Sequence, residues 1–299
     1  MTDFPFLALA DASPLPRCRW HSCATSFASP LLGKTDMNAH ITSHKSSEAA
    51  NRFPLDWPEA IAFGRSDLAP DGTLRVGVYR GSPSSYLQGA EGELDRGVGF
   101  LLGRSVADAL GVVFRPIVFP KNADVLAAVE AAEVDLVFTN ATPARARFIE
   151  FTDALVDVEK SILVPGSSPH VELAALEGLP LRIGINVGSS TGTELKPRYP
   201  FAELVPIASL DEAARLLSAG QLDGFATNKA ILFELADQVP GARVLPGAWG
   251  HEHFALGTPR GRMAGREFLH RFARLADNNG RLREAVAVSR LRGTAPPQT

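Results

Sequence analysis

Two short segments of the chain combine side chains that could hold a small anion. In the first, Thr142-Pro143-Ala144-Arg145, Thr is a good helix N-cap and Pro is favoured at the first helical position, so the pattern predicts a helix start. The free N–H groups of a helix start attract an anion, and the Arg145 guanidinium suits a carboxylate or a phosphate. The alternative is a solvated surface arginine, as we expect for Arg147.

The second segment is a hydroxyl-rich turn, Gly188-Ser189-Ser190-Thr191-Gly192, which follows a predicted strand. Hydroxyls and backbone N–H groups in such a turn can also bind an anion. The turn lacks the Gly-Lys-Ser/Thr ending of a P-loop, so the sequence does not predict nucleotide binding. We therefore take Ser189 and Ser190 as candidate contacts to a small solute.

The loop that follows the first predicted strand could line the same pocket. It carries Arg80, three serines and Tyr86, and we take Tyr86 as a candidate solute contact. Gly81 and Pro83 in this loop are equally typical of an ordinary connection.

Few residues could carry catalysis or bind a metal. The two cysteines, Cys18 and Cys23, lie with His21 in a stretch that has no predicted fold around it. The His-Glu-His segment at 251–253 lacks the spacing of a His-Glu-x-x-His metal motif and reads most simply as a polar strand. The sequence thus predicts no catalytic residue, no metal and no cofactor.

Strand and helix patterns alternate from Thr73 onward, which predicts an α/β fold with mostly parallel sheets and crossover helices. Strands are predicted at residues 74–78, 112–119, 134–138, 181–187, 204–207 and 222–226. Helices are predicted between them, with Asn122 as the cap of a helix over 122–130 and Ser209 with Glu212 as a capping box.

Two of the predicted strands are alike. Val134-Asp-Leu-Val-Phe-Thr-Asn140 and Leu222-Asp-Gly-Phe-Ala-Thr-Asn228 both begin with a hydrophobic residue and Asp, and both end in Thr-Asn. Chance similarity of two buried strands is one explanation, and two lobes of like construction is the other. Because ligands bind beyond the carboxyl ends of strands in open α/β sheets, the second explanation places both Thr-Asn pairs in a cleft between lobes.

Composition argues against two broad classes of function. The 299 residues include 30 Lys and Arg and 33 Asp and Glu, with a net charge of −3 and no basic block, so a nucleic-acid role is not expected. No apolar run approaches the roughly 20 residues that cross a bilayer. Residues 1–71 show no sustained period of 2 or 3.6 and are predicted to be poorly ordered.

Five segments, taken in order, resemble the family 3 extracellular solute-binding proteins, the amino-acid-type receptors of ABC importers. The segments are Leu74-Arg-Val-Gly-Val78, Val134 to Arg145, Phe151-Thr-Asp153, Ile183 to Ser190 and Ala219-Gly-Gln-Leu-Asp223. The resemblance covers about residues 73–293 and is most specific where Thr-Pro-x-Arg is followed by Phe-Thr-Asp. Residues 1–71 have no counterpart in it.

The resemblance implies a two-lobed periplasmic-binding-protein fold of type II, with the ligand cleft between the lobes. The expected first lobe consists of residues 72–163 with 255–299, and the second lobe consists of residues 164–254. Residues 1–71 would be an N-terminal extension. The chain would cross between the lobes near 161–165 and 254–258.

The resemblance also assigns roles to residues of the site. Arg145 stands where the family arginine holds the ligand carboxylate, and the turn at Ser189 and Ser190 faces it from the second lobe. The residues expected to assist Arg145 are Thr139, Asn140 and Thr142.

Two departures from the family pattern bear on the ligand. Members that bind α-amino acids usually have an aspartate, which pairs with the ligand ammonium, where this chain has Asn228. The Gly-Phe-Asp-x-Asp segment before the first helix reads Gly97-Val-Gly-Phe-Leu101 and lacks both carboxylates. Because a neutral amide supplies no charge, we expect Asn228 to line a site for a small anionic or zwitterionic solute that need not carry an α-amino group.

The resemblance implies a non-enzymatic receptor that closes around its solute and docks on an ABC permease in the membrane, and we expect a monomer. One alternative is an enzyme like the cyclohexadienyl dehydratases of this fold, with Glu194, Glu252 or His253 as acid or base. Another is a ligand sensor that uses the same clamp. The implied location is periplasmic; the first ten residues do not read as a typical secretory signal, so we expect the true start within or after residues 1–71.

Overall fold

The computed structural model describes residues 58–295 and opens with helix α1 (Pro58–Leu68). The next elements are β1 (Thr73–Tyr79), α2 (Val98–Leu110), β2 (Val113–Phe119), α3 (Asn122–Glu130), β3 (Leu136–Asn140), β4 (Ile149–Phe151) and β5 (Val156–Val164). The strands predicted at 74–78 and 112–119 are confirmed, and the strand predicted at 134–138 begins two residues later and runs to Asn140. The predicted cap of α3 is wrong, because Asn122 is already helical and the extended residue before the helix is Lys121.

The second part of the chain repeats the alternation. Its elements are β6 (Arg182–Asn186), α4 (Thr191–Leu195), β7 (Glu203–Ile207), α5 (Leu210–Ser218), β8 (Gly224–Asn228), α6 (Lys229–Ala236), β9 (Arg243–Val244), β10 (Gly250–Pro259), α7 (Met263–Asn278) and α8 (Arg281–Val288). The capping box is present at α5, since Ser209 Oγ accepts from the Glu212 N–H at 3.2 Å. The Glu212 carboxylate accepts from the N–H of Ala208, one residue further back than the pattern predicts.

The strands form one sheet of order β2-β1-β3-β10-β5-β8-β6-β7, with β4 beside β10 and β9 beside β5. At one end β1 pairs in parallel with β2 and β3, and at the other end β6 pairs in parallel with β7 and β8. We call these strands and their helices the first half and the second half. The antiparallel strands β5 and β10 pair with each other and join the halves. The predicted α/β fold is confirmed.

Both halves repeat one ion pair at equivalent places. Asp135, just before β3, accepts from the backbone N–H, Nε and Nη2 of Arg75 at 2.7 to 2.9 Å. Asp223, just before β8, accepts from the same three groups of Arg182 at 2.8 to 3.1 Å. Each aspartate thus ties the third strand of its half to the first. This repeat favours like construction over chance as the reason for the similar strands.

Hydrophobic clusters flank the sheet in both halves. In the first half one cluster lies between β1 and β3 and the helices α1, α2, α7 and α8, and a second lies under α3. In the second half one cluster contains Tyr199 and Leu195, and another packs α5 and α6 on the sheet. Within residues 58–295, no helix combines the length and apolar character needed to cross a membrane.

Helix α1 corrects the prediction for the N-terminal region. Residues 58–71 are ordered here, because α1 packs on α7 and fully buries Leu68. The close approach depends on two glycines, since a Cβ on Gly64 would collide with Phe268 and one on Gly265 would collide with Leu68. Residues 1–57, with Cys18, His21 and Cys23, lie outside the described residues.

Candidate functional site

A cavity of about 530 Å³ lies where the carboxyl ends of strands from both halves meet. The first half contributes the ends of β1 and β3, and the second half contributes the turn after β6, the start of α5 and the end of β8. Both Thr-Asn pairs, Thr139-Asn140 and Thr227-Asn228, line it. Their predicted position at one cleft is therefore confirmed, because parallel strands of both halves end on the same side.

Arg145 is fixed against the first half and turns its remaining donors to the cavity. Its Nη1 donates to Thr139 Oγ1 at 3.0 Å and to the Asn140 carbonyl at 2.9 Å. Both acceptors are neutral, and within residues 58–295 no carboxylate forms a salt bridge with Arg145. The guanidinium is partly buried and lines the cavity, so it presents a positive charge there that is in no described salt bridge.

The helix predicted to start at Thr142 does not form. A single 3₁₀ turn, Arg145–Arg147, occupies this place, because the chain must enter β4 two residues later and bury Ile149. No helix dipole therefore assists Arg145. Thr142 Oγ1 accepts from the Arg145 N–H at 3.3 Å and does not line the cavity. Thr142 thus holds the turn that carries Arg145, which corrects its predicted contact with the solute.

The hydroxyl-rich turn lies on the opposite wall. Gly188, Ser189 and Ser190 line the cavity, as predicted. Gly188 adopts φ +74°, a backbone conformation that favours glycine. The Ser189 hydroxyl donates to the Asn186 carbonyl at 2.8 Å and so stabilises the turn itself, whereas the Ser190 side chain does not cap α4. Contact between either serine and a solute stays a prediction.

Asn228 lines the cavity, and both the oxygen and the nitrogen of its side-chain amide form hydrogen bonds within the protein. Its Oδ1 accepts from the Ile231 N–H at 3.1 Å and so caps α6. Its Nδ2 donates to Glu252 Oε2 at 2.9 Å. Asn228 is 3% exposed, so both hydrogen bonds lie in the protein interior. The amide oxygen is thus engaged by α6, and the amide N–H holds the Glu252 carboxyl group.

Glu252 places a carboxyl group in the cavity, beside the neutral amide of Asn228. It lies on β10 between His251 and His253, which are exposed, while Glu252 is partly buried and faces the cavity. Strand alternation is the signal that could have found it, since side chains at 251 and 253 point away from the side to which 252 points. From the sequence, Glu252 was named only as a possible acid or base of the enzymatic alternative, and its inward direction was not predicted.

Charges around the cavity interact with one another. Burial raises the pKa of the Glu252 carboxyl, while Lys160, the Asn228 amide and Arg145 act to lower it. Burial lowers the pKa of Arg145, with Glu252 as the main opposing influence. Lys160 is itself 2% exposed and pairs with Glu194 Oε2 at 2.6 Å. Arg145 and Glu252 thus place a guanidinium and a carboxyl group in one cavity.

Tyr86 does not belong to the site. Its ring packs on Phe100 at 5.4 Å between centroids, and its hydroxyl donates to Asp95 at 2.9 Å. Tyr79, at the end of β1, lines the cavity instead. Burial raises the pKa of the Tyr79 hydroxyl, which stays protonated at neutral pH and can serve as a hydrogen-bond donor. The loop was the right region, but the tyrosine that reaches the cavity precedes it.

The fold of the chain is similar to that of solved substrate-binding proteins. No protein-family model matches the chain, and no curated protein matches it. An amino acid ABC transporter substrate-binding protein from Streptococcus pneumoniae, solved with L-arginine, has a TM-score of 0.66 at 19% identity, covering 76% of this chain and 97% of that one. The solute receptor for L-cysteine of Neisseria gonorrhoeae has a TM-score of 0.66 at 22% identity, covering 77% and 94%.

A third similar structure is an ancestral amino acid-binding protein described as a precursor of cyclohexadienyl dehydratase. Its TM-score is 0.63 at 19% identity, covering 75% of this chain and 97% of that one. Likeness at these identities shows the fold. The chain has the two-lobed, type II periplasmic-binding-protein fold, as the resemblance implied.

Within residues 58–295, no group of three or more His, Cys, Asp and Glu side chains is placed to hold a metal ion. The His253 ring pairs with Asp157 at 2.7 Å on the exposed side of the paired strands β5 and β10. It therefore lies away from the Arg145 and Glu252 charges.

Proposed function

We propose that this chain is the substrate-binding component of an ABC importer and captures a small carboxylate-bearing solute, an amino acid or a related organic acid. The observation that carries the proposal is Arg145, whose Nη1 is anchored by Thr139 and Asn140 while its Nε and Nη2 donate to no described residue. A carboxylate of the solute would receive these donors as a bidentate pair. Charge-assisted bonds of this kind contribute about 1.5 to 3 kcal/mol each.

The size and position of the cavity support a small ligand. A volume of about 530 Å³ lies within the roughly 300 to 1,000 Å³ that ligand sites occupy. The similar structures from Streptococcus pneumoniae and Neisseria gonorrhoeae are described as an amino acid transporter component and an L-cysteine receptor. On this proposal the protein works outside the cytoplasmic membrane as a monomer and delivers its solute to a membrane permease.

Capture would require the two halves to move as lobes, residues 72–163 with 255–299 against 164–254. The halves share only the long strands β5 and β10 within the sheet, so these strands are the natural hinge. Across the cavity mouth the halves already approach closely. A Cβ built at Gly188 would lie 3.8 Å from Ala123 Cβ, and one at Gly81 would lie 3.8 Å from Leu210 Cδ1. Residues 81 and 188 would therefore come apart from their neighbours in the other half when the lobes open.

Isothermal titration of the full chain tests the proposal. The panel contains the twenty L-amino acids, dicarboxylates, aromatic acids and neutral sugars. We expect at least one carboxylate to bind, and Arg145→Ala to lose about 1.5 to 3 kcal/mol of its affinity, or roughly 10- to 150-fold. Arg147→Ala is the matched control, because Arg147 is exposed and two residues away. Unchanged affinity in Arg145→Ala, or binding restricted to sugars, would contradict the proposal.

An enzyme of the cyclohexadienyl dehydratase type is a second candidate, and Glu252 is the observation that favours it. A partly buried carboxyl whose pKa is raised can act as a general acid in a cleft. The ancestral precursor of such an enzyme is among the similar structures. The test is to incubate the protein with a cyclohexadienyl carboxylate and follow the absorbance of the aromatic product. Turnover that is lost in Glu252→Gln would support this candidate over the receptor.

A further inference from the structure

We infer that Glu252, positioned by Asn228, recognises a cationic group on the solute, so that the ligand carries an ammonium as well as a carboxylate. This inference rests on the proposed function and names the class of solute within it. It reverses the expectation drawn from Asn228, because the carboxylate absent from the end of β8 is supplied by β10.

Within residues 58–295 Glu252 forms no salt bridge, although the charges of Lys160 and Arg145 act on it. Lys160, which also lies near Glu252, already pairs with Glu194 at 2.6 Å and is 2% exposed. Glu252 receives one hydrogen bond, from the neutral Asn228 amide at 2.9 Å. A partly buried carboxylate whose nearest ammonium is paired with another carboxylate is only partly compensated, and a cationic ligand group would complete that compensation.

Glu252 and Arg145 are held on one side of the sheet by adjacent strands. Phe254 on β10 pairs with Asn140 on β3, and the Asn140 carbonyl in turn accepts from Arg145. Residues two apart on a strand share a face, so Glu252 lies on the same face as Phe254, which also lines the cavity. The two opposite charges are thus offered to a single small molecule.

The amide at 228 fits this arrangement better than a carboxylate would. Its oxygen is required as the cap of α6, and its Nδ2 is required as a donor to Glu252. An aspartate at 228 could cap α6, but it would place a second negative charge beside Glu252 and would lack the N–H. The departure from the family pattern at 228 and the carboxylate at 252 are therefore one coupled feature.

The test compares each L-amino acid with its deamino analogue, the same molecule without the α-amino group, by isothermal titration of the full chain. We expect the wild-type protein to bind at least one amino acid about ten-fold or more tightly than its analogue, in line with a charge-assisted bond. In Glu252→Gln this ratio should fall below about three-fold. Binding of the analogue through Arg145 should persist in Glu252→Gln and shows that the variant is folded.

Asn228→Ser separates positioning from capping. Serine keeps a side-chain acceptor for the start of α6 but cannot donate to Glu252 as the amide does. We expect the amino acid to lose part of its advantage over the analogue in Asn228→Ser. Glu252→Asp should retain a preference for the amino acid, because it retains the charge.

The pH profile gives an independent readout. The charged and titratable groups that act on Glu252 are Lys160, Arg145, Glu194 and the Tyr79 hydroxyl. Because an ammonium requires the ionised carboxylate, affinity for the amino acid should fall as the pH falls through the raised pKa of Glu252. Affinity in Glu252→Gln should change little over the same range.

Three results overturn the inference, and they differ in what else they affect. If carboxylates bind through Arg145 but the amino group gives no advantage, the inference fails while the proposed function stands. If Glu252→Gln keeps the wild-type ratio, an ammonium site lies elsewhere in the cavity. If no carboxylate binds at all, both the inference and the proposed function fail.

Discussion

The buried carboxylate of Asp135 gives a sharp test of what holds the first half together. Its side chain is 2% exposed and accepts from Arg75 and, at 2.6 Å, from Arg262 Nη1. Asp135→Asn keeps the shape but removes the charge that both guanidiniums face. Breaking a buried ion pair from one side costs about 3 to 5 kcal/mol, and we expect about 3 kcal/mol because Arg75 and Arg262 are 33% and 20% exposed and stay partly hydrated.

Urea unfolding at pH 7 measures this loss, which corresponds to a fall in melting temperature of about 6 to 12 °C. The matched control is Asp223→Asn in the second half. It removes the same pattern of hydrogen bonds, from Arg182, at a side chain that is 35% exposed, so its loss should be clearly smaller. If Asp223→Asn costs as much as Asp135→Asn, burial does not set the strength of this repeated contact and our reasoning is refuted.

Two further predictions concern stability. Gly293 has φ +76°, and an added Cβ would collide with Lys229, whereas Gly111 has φ +63° with open space around it. Gly293→Ala should therefore lower the free energy of unfolding by about 1 kcal/mol or more beyond the loss in Gly111→Ala. Equal losses of the two variants in urea unfolding would contradict the steric argument. Hydrogen bonds from Arg182 lower the pKa of Asp223 in the folded protein. The carboxylate therefore stabilises the fold at pH values above its pKa in the unfolded chain, about 3.9, and this contribution is lost as the pH falls through its pKa in the folded protein. The melting temperature of the wild type should therefore fall more steeply below about pH 4 than that of Asp223→Asn, and parallel curves would count against the shift.

The alternation of strands and helices was predictable because its signals are local. Strands such as β1 and β3 are short and mostly apolar, and helix ends carry caps, such as Ser209 at α5 and the left-handed Gly111 after α2. Helix α1 was missed for the opposite reason. Its stability depends on close contact with α7, some 200 residues later, through glycines whose value is invisible in a local window.

Within the site, the residue types were easier to predict than their partners. Arg145 lies in the cavity as expected, but the helix expected to assist it is replaced by one 3₁₀ turn, since tertiary pairing of β4 overrides the local preference for a helix start. Tyr86 was taken as a candidate because its loop follows β1, and Tyr79 at the end of β1 was not considered. In the structure the Tyr86 ring packs on Phe100 in the core, and its hydroxyl donates to Asp95.

Glu252 shows why position in the sequence misled the prediction of ligand charge. A residue-by-residue comparison with a family pattern asks whether the same position carries the same charge, and at Asn228 the answer is no. The cavity, however, responds to the charges that converge in space, and β10 returns through the sheet between β3 and β5 to bring a carboxylate within 2.9 Å of that amide. An uncharged residue at the end of one strand is therefore evidence about the charge of the ligand only after the charged side chains of all strands that border the cavity have been considered. Here Glu252 restores the negative charge, and with Arg145 it favours a zwitterion over a simple organic acid.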